Sequence, residues 1–224
     1  MNREEEKIKI EEDIGDRVIA SMEKIADLVK ESAQRIREEK IQAHIKTMVE
    51  MMMRIYGTSQ RIFTVGEGRS GFVARAFAMR LMHLGFNAFV IGETTTPGVQ
   101  KGDIVIAISG SGATETVIAV CQVVISEEVG AKLIAITSKK ESTLARIADV
   151  VIDLPGRKGI ISVSDYLERT LTRTLPQVPL GTLFETNAGI FCDSIVSELM
   201  EITKTSEEKM EKQHATNRKK DKEP

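Results

Sequence analysis

Tryptophan is absent and tyrosine occurs only 2 times, so the aromatic platforms on which bases or sugar rings stack are scarce. Cysteine is as rare, with 2 copies. Cys121 and Cys192 stand far apart in apolar helical contexts and form no metal-spaced pair. They read as buried thiols of a reducing compartment. No charge dominates: 31 Lys and Arg against 33 Asp and Glu leave a formal net charge of −2. That balance does not suit general nucleic-acid binding, and no nucleic-acid partner is expected. No apolar run is long enough to cross a bilayer, and the acidic N-terminus has no signal-peptide pattern. A cytoplasmic location with no membrane partner is the expectation. Internal repeats are also missing. Against these absences, 224 residues with 42% hydrophobic content are enough for one domain with a normal core and some extra helix.

The chain begins with helix. Residues 1 to about 40 carry no strand signal, and Ile8, Ile10, Ile14, Val18, Met22, Ile25 and Leu28 approximate helical spacing. A second helix is expected from Ile36 to Tyr56, with Met48, Met51, Met52 and Met53 as core or interface filler. His44, among polar neighbours, reads as a surface histidine. Strands and helices then alternate. Strands are expected at 61–66, 88–91, 104–108, 132–137 and 150–154. Helices are expected from Ser70 to Leu84, from Thr116 to Val129 before Gly130, and from Thr143 to Ala148. Such alternation predicts a five-stranded parallel sheet sandwiched by helices in an α/β fold. Right-handed crossovers place every strand's C-terminal end on one edge, where ligands of such sheets bind. Beyond Pro155 a polar connection is expected, with a short helix near Asp165 to Leu171. A long apolar helix then runs from Leu183 to Met200, followed by a short helix capped by Ser206 and a charged tail.

Two stretches at that edge carry chemistry. Ile104 to Ile108 leads into Ser109-Gly110-Ser111-Gly112-Ala113-Thr114 and then a helix. Gly110 and Gly112 permit a tight turn and close approach to a ligand. Ser109, Ser111 and Thr114 add hydroxyls beside the free amides of a helix start, a combination suited to an anion. The lysine of a nucleoside-triphosphate loop is missing. By itself the stretch reads as readily as a Ser/Gly-rich turn whose Thr114 caps the helix. The other stretch, Gly66-Glu67-Gly68-Arg69-Ser70-Gly71, matches the dinucleotide pattern G-x-G-x-x-G, and Glu93 near the end of the next strand stands where a ribose-binding acid belongs. Against that reading, Arg69 and Ser70 put a guanidinium and a hydroxyl into the loop. Two converging loops of hydroxyls and amides suit one small phosphate better than a pyrophosphate bridge.

These loops resemble those of sugar isomerase (SIS) domains, which bind phosphosugars. The resemblance extends through Ala76 to Gly85, Gly92-Glu93-Thr94-Thr95-Thr96-Pro97, Pro179-Leu180-Gly181-Thr182-Leu183-Phe184-Glu185 and Gln213-His214-Ala215. In that order these segments are similar to the 6-phospho-3-hexuloisomerase family. The resemblance implies a flavodoxin-like strand order and reversible conversion of a 3-hexulose 6-phosphate to fructose 6-phosphate. It also implies a homotetramer, no metal or cofactor, and functional coupling to a hexulose-phosphate synthase. The implied organisation is a helical extension at 1–35, an SIS domain at 36–215 and a charged, flexible tail at 216–224. Two departures stand out: a longer N-terminal region, and His214-Ala215-Thr216-Asn217 where the family shows His-Ala-Asn.

Moving a carbonyl from the third carbon to the second requires a base at the second carbon, a cis-enediol, and return of the proton to the third. Glu185 opens a mostly apolar helix. It reads either as a first-turn acid favoured by the helix dipole or, given the resemblance, as the base. Glu93 competes, or orients sugar hydroxyls with Thr94, Thr95 and Thr96. The resemblance implies a histidine from a neighbouring subunit in ring opening or proton relay, and His214 is the candidate. Substrate binding is expected from Arg69, Ser70, Ser109, Gly110, Ser111, Gly112, Ala113, Thr114 and Glu93. His83 reads as a core or interface histidine. Two other functions stay in play: a non-catalytic phosphosugar-binding regulator, and a nicotinamide-dependent oxidoreductase.

Overall fold

Side chains alternate between the two faces of a strand, and here both faces are apolar. Ile62, Ile104, Ile106, Ile108, Ile134, Ile136, Val150 and Ile152 enter one cluster of buried residues. Phe63, Val65, Val105, Ala107, Leu133 and Ala135 enter another. Strands patterned in this way need cover on both sides, and the parallel α/β arrangement supplies it. The computed structural model describes residues 13–156, 182–206, 208 and 210. In chain order its elements are α1 (Ile14–Arg35), α2 (Glu39–Ile55), β1 (Ile62–Gly66), α3 (Gly68–His83), β2 (Ala88–Val90), β3 (Ile104–Ile108), α4 (Glu115–Val124), β4 (Lys132–Thr137), α5 (Thr143–Ile147), β5 (Val150–Asp153) and α6 (Thr182–Thr203). The strands form one sheet in the order β2-β1-β3-β4-β5, and every neighbouring pair is parallel. Helices α2, α3 and α6 cover the first face, and α4 and α5 the second.

The expected α/β sandwich is therefore present, with helices added at both ends. Helix α1 lies against α6, with Leu28 and Leu183 buried together. Asn187 of α6, itself buried, donates to Ser32 Oγ of α1 and to the Pro155 carbonyl, each at 2.8 Å.

The two expected N-terminal helices are present, with the chain turning between them at residues 36–38. Two details depart from the sequence reading. Helix α4 ends at Val124 rather than Val129. Glu127 and Glu128 would stand at the negative end of a longer helix, and the chain instead turns, with the Val129 and Gly130 amides donating to the Ser126 carbonyl. His44 is not a free surface residue: it is half-buried, and its Nδ1 lies 2.7 Å from the Val151 carbonyl of β5. The helical period explains this, since His44, Met48 and Met52 share one face and both methionines are fully buried. The expected connection from Gly156 to Pro179, beyond its first residue, and the 216–224 tail lie outside the described residues, as does most of the helix expected after Ser206.

At the N-terminal end of the sheet, Asp103 fastens the starts of β1 and β3. Its carboxylate accepts from the Arg61 amide (2.9 Å), Arg61 Nη2 (2.9 Å) and the Gln100 amide (2.8 Å). The Asp103 side chain is 3% exposed and that of Arg61 16%. Asp103→Ala leaves the guanidinium and two amides without this acceptor. It is expected to cost about 3–5 kcal/mol, read as a lower urea midpoint with an unchanged m-value. Both cysteines are buried and unbridged. Burial pushes the Cys121 thiol up to about 12 and raises that of Cys192 as well. A thiol-disulfide reagent at pH 8 is expected to leave both unmodified in the native protein and to titrate both in denaturant.

Candidate active site

The strand order reverses between β1 and β3, because β2 lies on one side of β1 and β3 on the other. Ligands of open α/β sheets bind outside the C-terminal ends of strands at such a point. The loops read from the sequence leave β1 and β3, so the topology brings them together there.

The loop after β1 is held tight by missing side chains. A Cβ on Gly66 would lie 2.8 Å from the Ser70 backbone, and one on Gly71 would lie 2.9 Å from the Gly66 carbonyl oxygen. The start of α3 is thereby pressed onto the end of β1. Ser70 is buried in its first turn. Arg69 Nη1 reaches Thr182 Oγ1, at the start of α6, over 3.4 Å.

The loop after β3 gathers its hydroxyls. Ser109 Oγ lies 3.1 Å and Ser111 Oγ 3.5 Å from Thr114 Oγ1. Ser109 Oγ accepts from the Gly112 amide and Ser111 Oγ from the Ala113 amide, each at 3.2 Å. Thr114 occupies the N-cap position of α4, but its side chain makes no capping hydrogen bond. The capping role considered for it is therefore not what its hydroxyl does. The first-turn amides of α4 have no intrahelical acceptor and are not closed by that side chain. Amides, hydroxyls and dipole together suit a phosphate.

Helix α6 brings a carboxylate to the same region. Phe184 packs so closely on Gly110 that a Cβ there would lie 2.8 Å from its ring. Glu185 is the next residue and is only partly exposed. Its Oε2 is buried and has no hydrogen-bond partner among the described residues. Native structures rarely leave a buried carboxylate oxygen unpaired, and those that do call for a functional explanation.

The remaining candidates have other partners, or lie away from the loops or outside the described residues. Glu93 follows the edge strand β2 and pairs with Arg75 of α3, Nε to Oε1 2.8 Å. Thr96, half-buried, spends its hydroxyl on the Val90 carbonyl. His83 is buried in the last turn of α3, at the end away from the loops. His214 lies outside the described residues. Asp153 has a pKa raised chiefly by burial, with Lys140 opposing and Glu141 and Glu38 adding, but it ends the edge strand β5, away from the reversal. Among the described residues no group of three or more His, Cys, Asp or Glu is placed to hold a metal ion.

Sequence reasoning missed the supports of the second loop. Ser138 Oγ donates to the Gly110 carbonyl at 2.7 Å, and the Leu144 amide donates to the Gly112 carbonyl at 3.0 Å. Hydroxyl residues directly after β4 were the available signal. It also passed over Glu67, whose Oε2 accepts from Thr116 Oγ1 of α4 at 3.1 Å.

Residues 55–172 match the SIS domain. The chain belongs to the SIS-domain family of phosphosugar isomerases. An uncharacterized protein of Aeropyrum pernix is 41% identical over 172 residues, covering 76% of this chain and 80% of its own. The 3-hexulose-6-phosphate isomerase of Bacillus subtilis is 39% identical over 158 residues, covering 70% and 80%. A crystal structure from Methanococcus jannaschii, for which a 3-hexulose-6-phosphate isomerase function was inferred, aligns with a TM-score of 0.69 at 31% identity, covering 88% and 98%.

A hexose phosphate in excess over its Kd is expected to raise the melting temperature, since it binds only the native state. Ser109→Ala removes one hydroxyl from the anion site. It is expected to weaken that binding roughly 10- to 100-fold, the usual worth of a hydrogen bond to a charged group, measured by calorimetry.

Proposed function

We propose that the chain interconverts D-arabino-hex-3-ulose 6-phosphate and D-fructose 6-phosphate through a cis-enediol. The observation that carries the proposal is the buried Oε2 of Glu185, which has no hydrogen-bond partner among the described residues, one residue from the Phe184 ring that packs on the loop after β3. The relatives named 3-hexulose-6-phosphate isomerase, at 39% identity, supply the substrate.

In this reading Ser70, Ser109, Ser111, Thr114 and the backbone from Gly110 to Ala113 hold the phosphate against the first turns of α3 and α4. Glu185 takes the proton from the second carbon, and the electron pair forms the carbon–carbon double bond while the third carbon's oxygen becomes an enediolate. The proton on the second oxygen passes to the third, and Glu185 returns the carbon-bound proton to the third carbon. Arg69, near the start of α6, balances the enediolate charge. Glu93 in this reading holds sugar hydroxyls, which requires it to exchange its Arg75 contact. His214 is assigned to the active site of a neighbouring subunit in a homotetramer. A cytoplasmic enzyme with a helical extension at 1–35, a domain at 36–215 and a tail at 216–224, working with a hexulose-phosphate synthase and needing no metal or cofactor, completes the proposal.

The purified chain should turn over the hexulose phosphate. Glu185→Gln keeps the size of the side chain and removes the base, so kcat should fall about 10²- to 10⁴-fold with KM little changed. A folded Gln variant with undiminished kcat would remove Glu185 from the role. Saturable binding with no turnover by the wild type would favour the regulator instead.

A further inference from the structure

Glu67 lies between two fixed points. Gly66 before it is locked onto the Ser70 backbone. Gly68 after it holds φ +56°, a conformation that side chains rarely adopt. Glu67 itself is extended, with φ −117° and ψ 147°, at the N-cap position of α3. Its carboxylate does not cap that helix. It reaches from the loop after β1 to Thr116, in the first turn of α4. A negative charge thus stands at the mouth of a crevice whose amides and hydroxyls suit an anion. Both partners are exposed, so this contact is a weak strut, and ligand groups can exchange with it.

A carboxylate in that place has opposite effects on two kinds of ligand. It repels a bare phosphate dianion. A phosphosugar, held by its phosphate in the same place, carries hydroxyls that the carboxylate can accept, and carboxylates form strong hydrogen bonds with hydroxyl donors. We infer that Glu67 selects phosphosugars over inorganic phosphate by accepting sugar hydroxyls at the mouth of the crevice between β1 and β3, with Thr116 orienting it. The inference rests on the phosphosugar site proposed above and adds a specificity-determining residue to it.

The test is calorimetric titration of the full chain with fructose 6-phosphate and, separately, with inorganic phosphate. In Glu67→Ala, fructose 6-phosphate binding should weaken roughly 10-fold or more, while inorganic phosphate should bind roughly threefold tighter once the repulsion is gone. Glu67→Gln, which keeps one acceptor and loses the charge, should tighten inorganic phosphate equally and weaken the sugar phosphate less. Thr116→Val should weaken the sugar phosphate and leave inorganic phosphate unchanged. Circular dichroism and melting temperature check that each variant folds. Equal tightening of both ligands would reduce Glu67 to a repelling charge, and equal weakening would make it a strut; either overturns the inference, as does no change. A wild type that binds fructose 6-phosphate, with the opposite shifts for the two ligands in Glu67→Ala, yet turns over no hexulose phosphate, would overturn the isomerase reading and leave this one standing. A wild type that binds neither ligand would overturn both.

Discussion

The constraint on which the rest depends is the packing of the loop after β3, which has no room for side chains at its glycines. Gly110 lies against the Phe184 ring of α6, and Gly112, at φ +56°, lies against Ser142 at the start of α5. The Gly110 carbonyl takes the Ser138 hydroxyl and amide, and the Gly112 carbonyl takes the Leu144 amide. Backbone acceptors are thus turned into the protein, and the Ser109, Ser111 and Thr114 hydroxyls cluster beside the start of α4. An anion site needs donors held in place before the ligand arrives, and this packing holds them.

Helix α6 is the other half of the arrangement, and it is placed by more than the sheet. Asn187, two residues beyond Glu185, donates to α1 and to the exit of β5 in the same buried spot. The N-terminal helix is therefore tied to the first turn that carries the proposed base. It contributes little to the central core, yet it packs against the helix that carries that carboxylate. Glu185 Oε2 is buried with no partner among the described residues, and a buried oxygen left unpaired costs stability. Such a cost is intelligible where a substrate group later completes the environment, and functional sites are where it is usually tolerated.

Much of the fold was legible because its strands are short apolar runs bounded by glycine, and β1, β3 and β4 fall within a residue of their expected limits. Both loops were legible for the same reason: glycines and hydroxyls directly after a strand have few other uses. The end of α4 was misread because Gly130 is a conspicuous stop, while the acidic pair before it acts through the weaker dipole term. His44 was misjudged from its sequence neighbours, when its helical neighbours Met48 and Met52 were the informative ones. The Ser138 and Asn187 contacts join segments distant in sequence, and periodicity carries no information about such pairs. The carboxylate roles were the least legible part. Glu67, Glu93 and Glu185 all sit near turns, and only the fold distinguishes the one paired with Arg75, the one bridging to Thr116 and the one whose Oε2 is buried on α6.

A crystal structure of the full chain soaked with fructose 6-phosphate probes the central claim most directly. The account predicts the phosphate within hydrogen-bond distance of Ser109 and Ser111 Oγ and the first amides of α4, with the Glu185 carboxylate over the second and third carbons. A sugar phosphate bound away from the β1–β3 reversal, or a Glu185 side chain directed away from those carbons in every subunit, would contradict it.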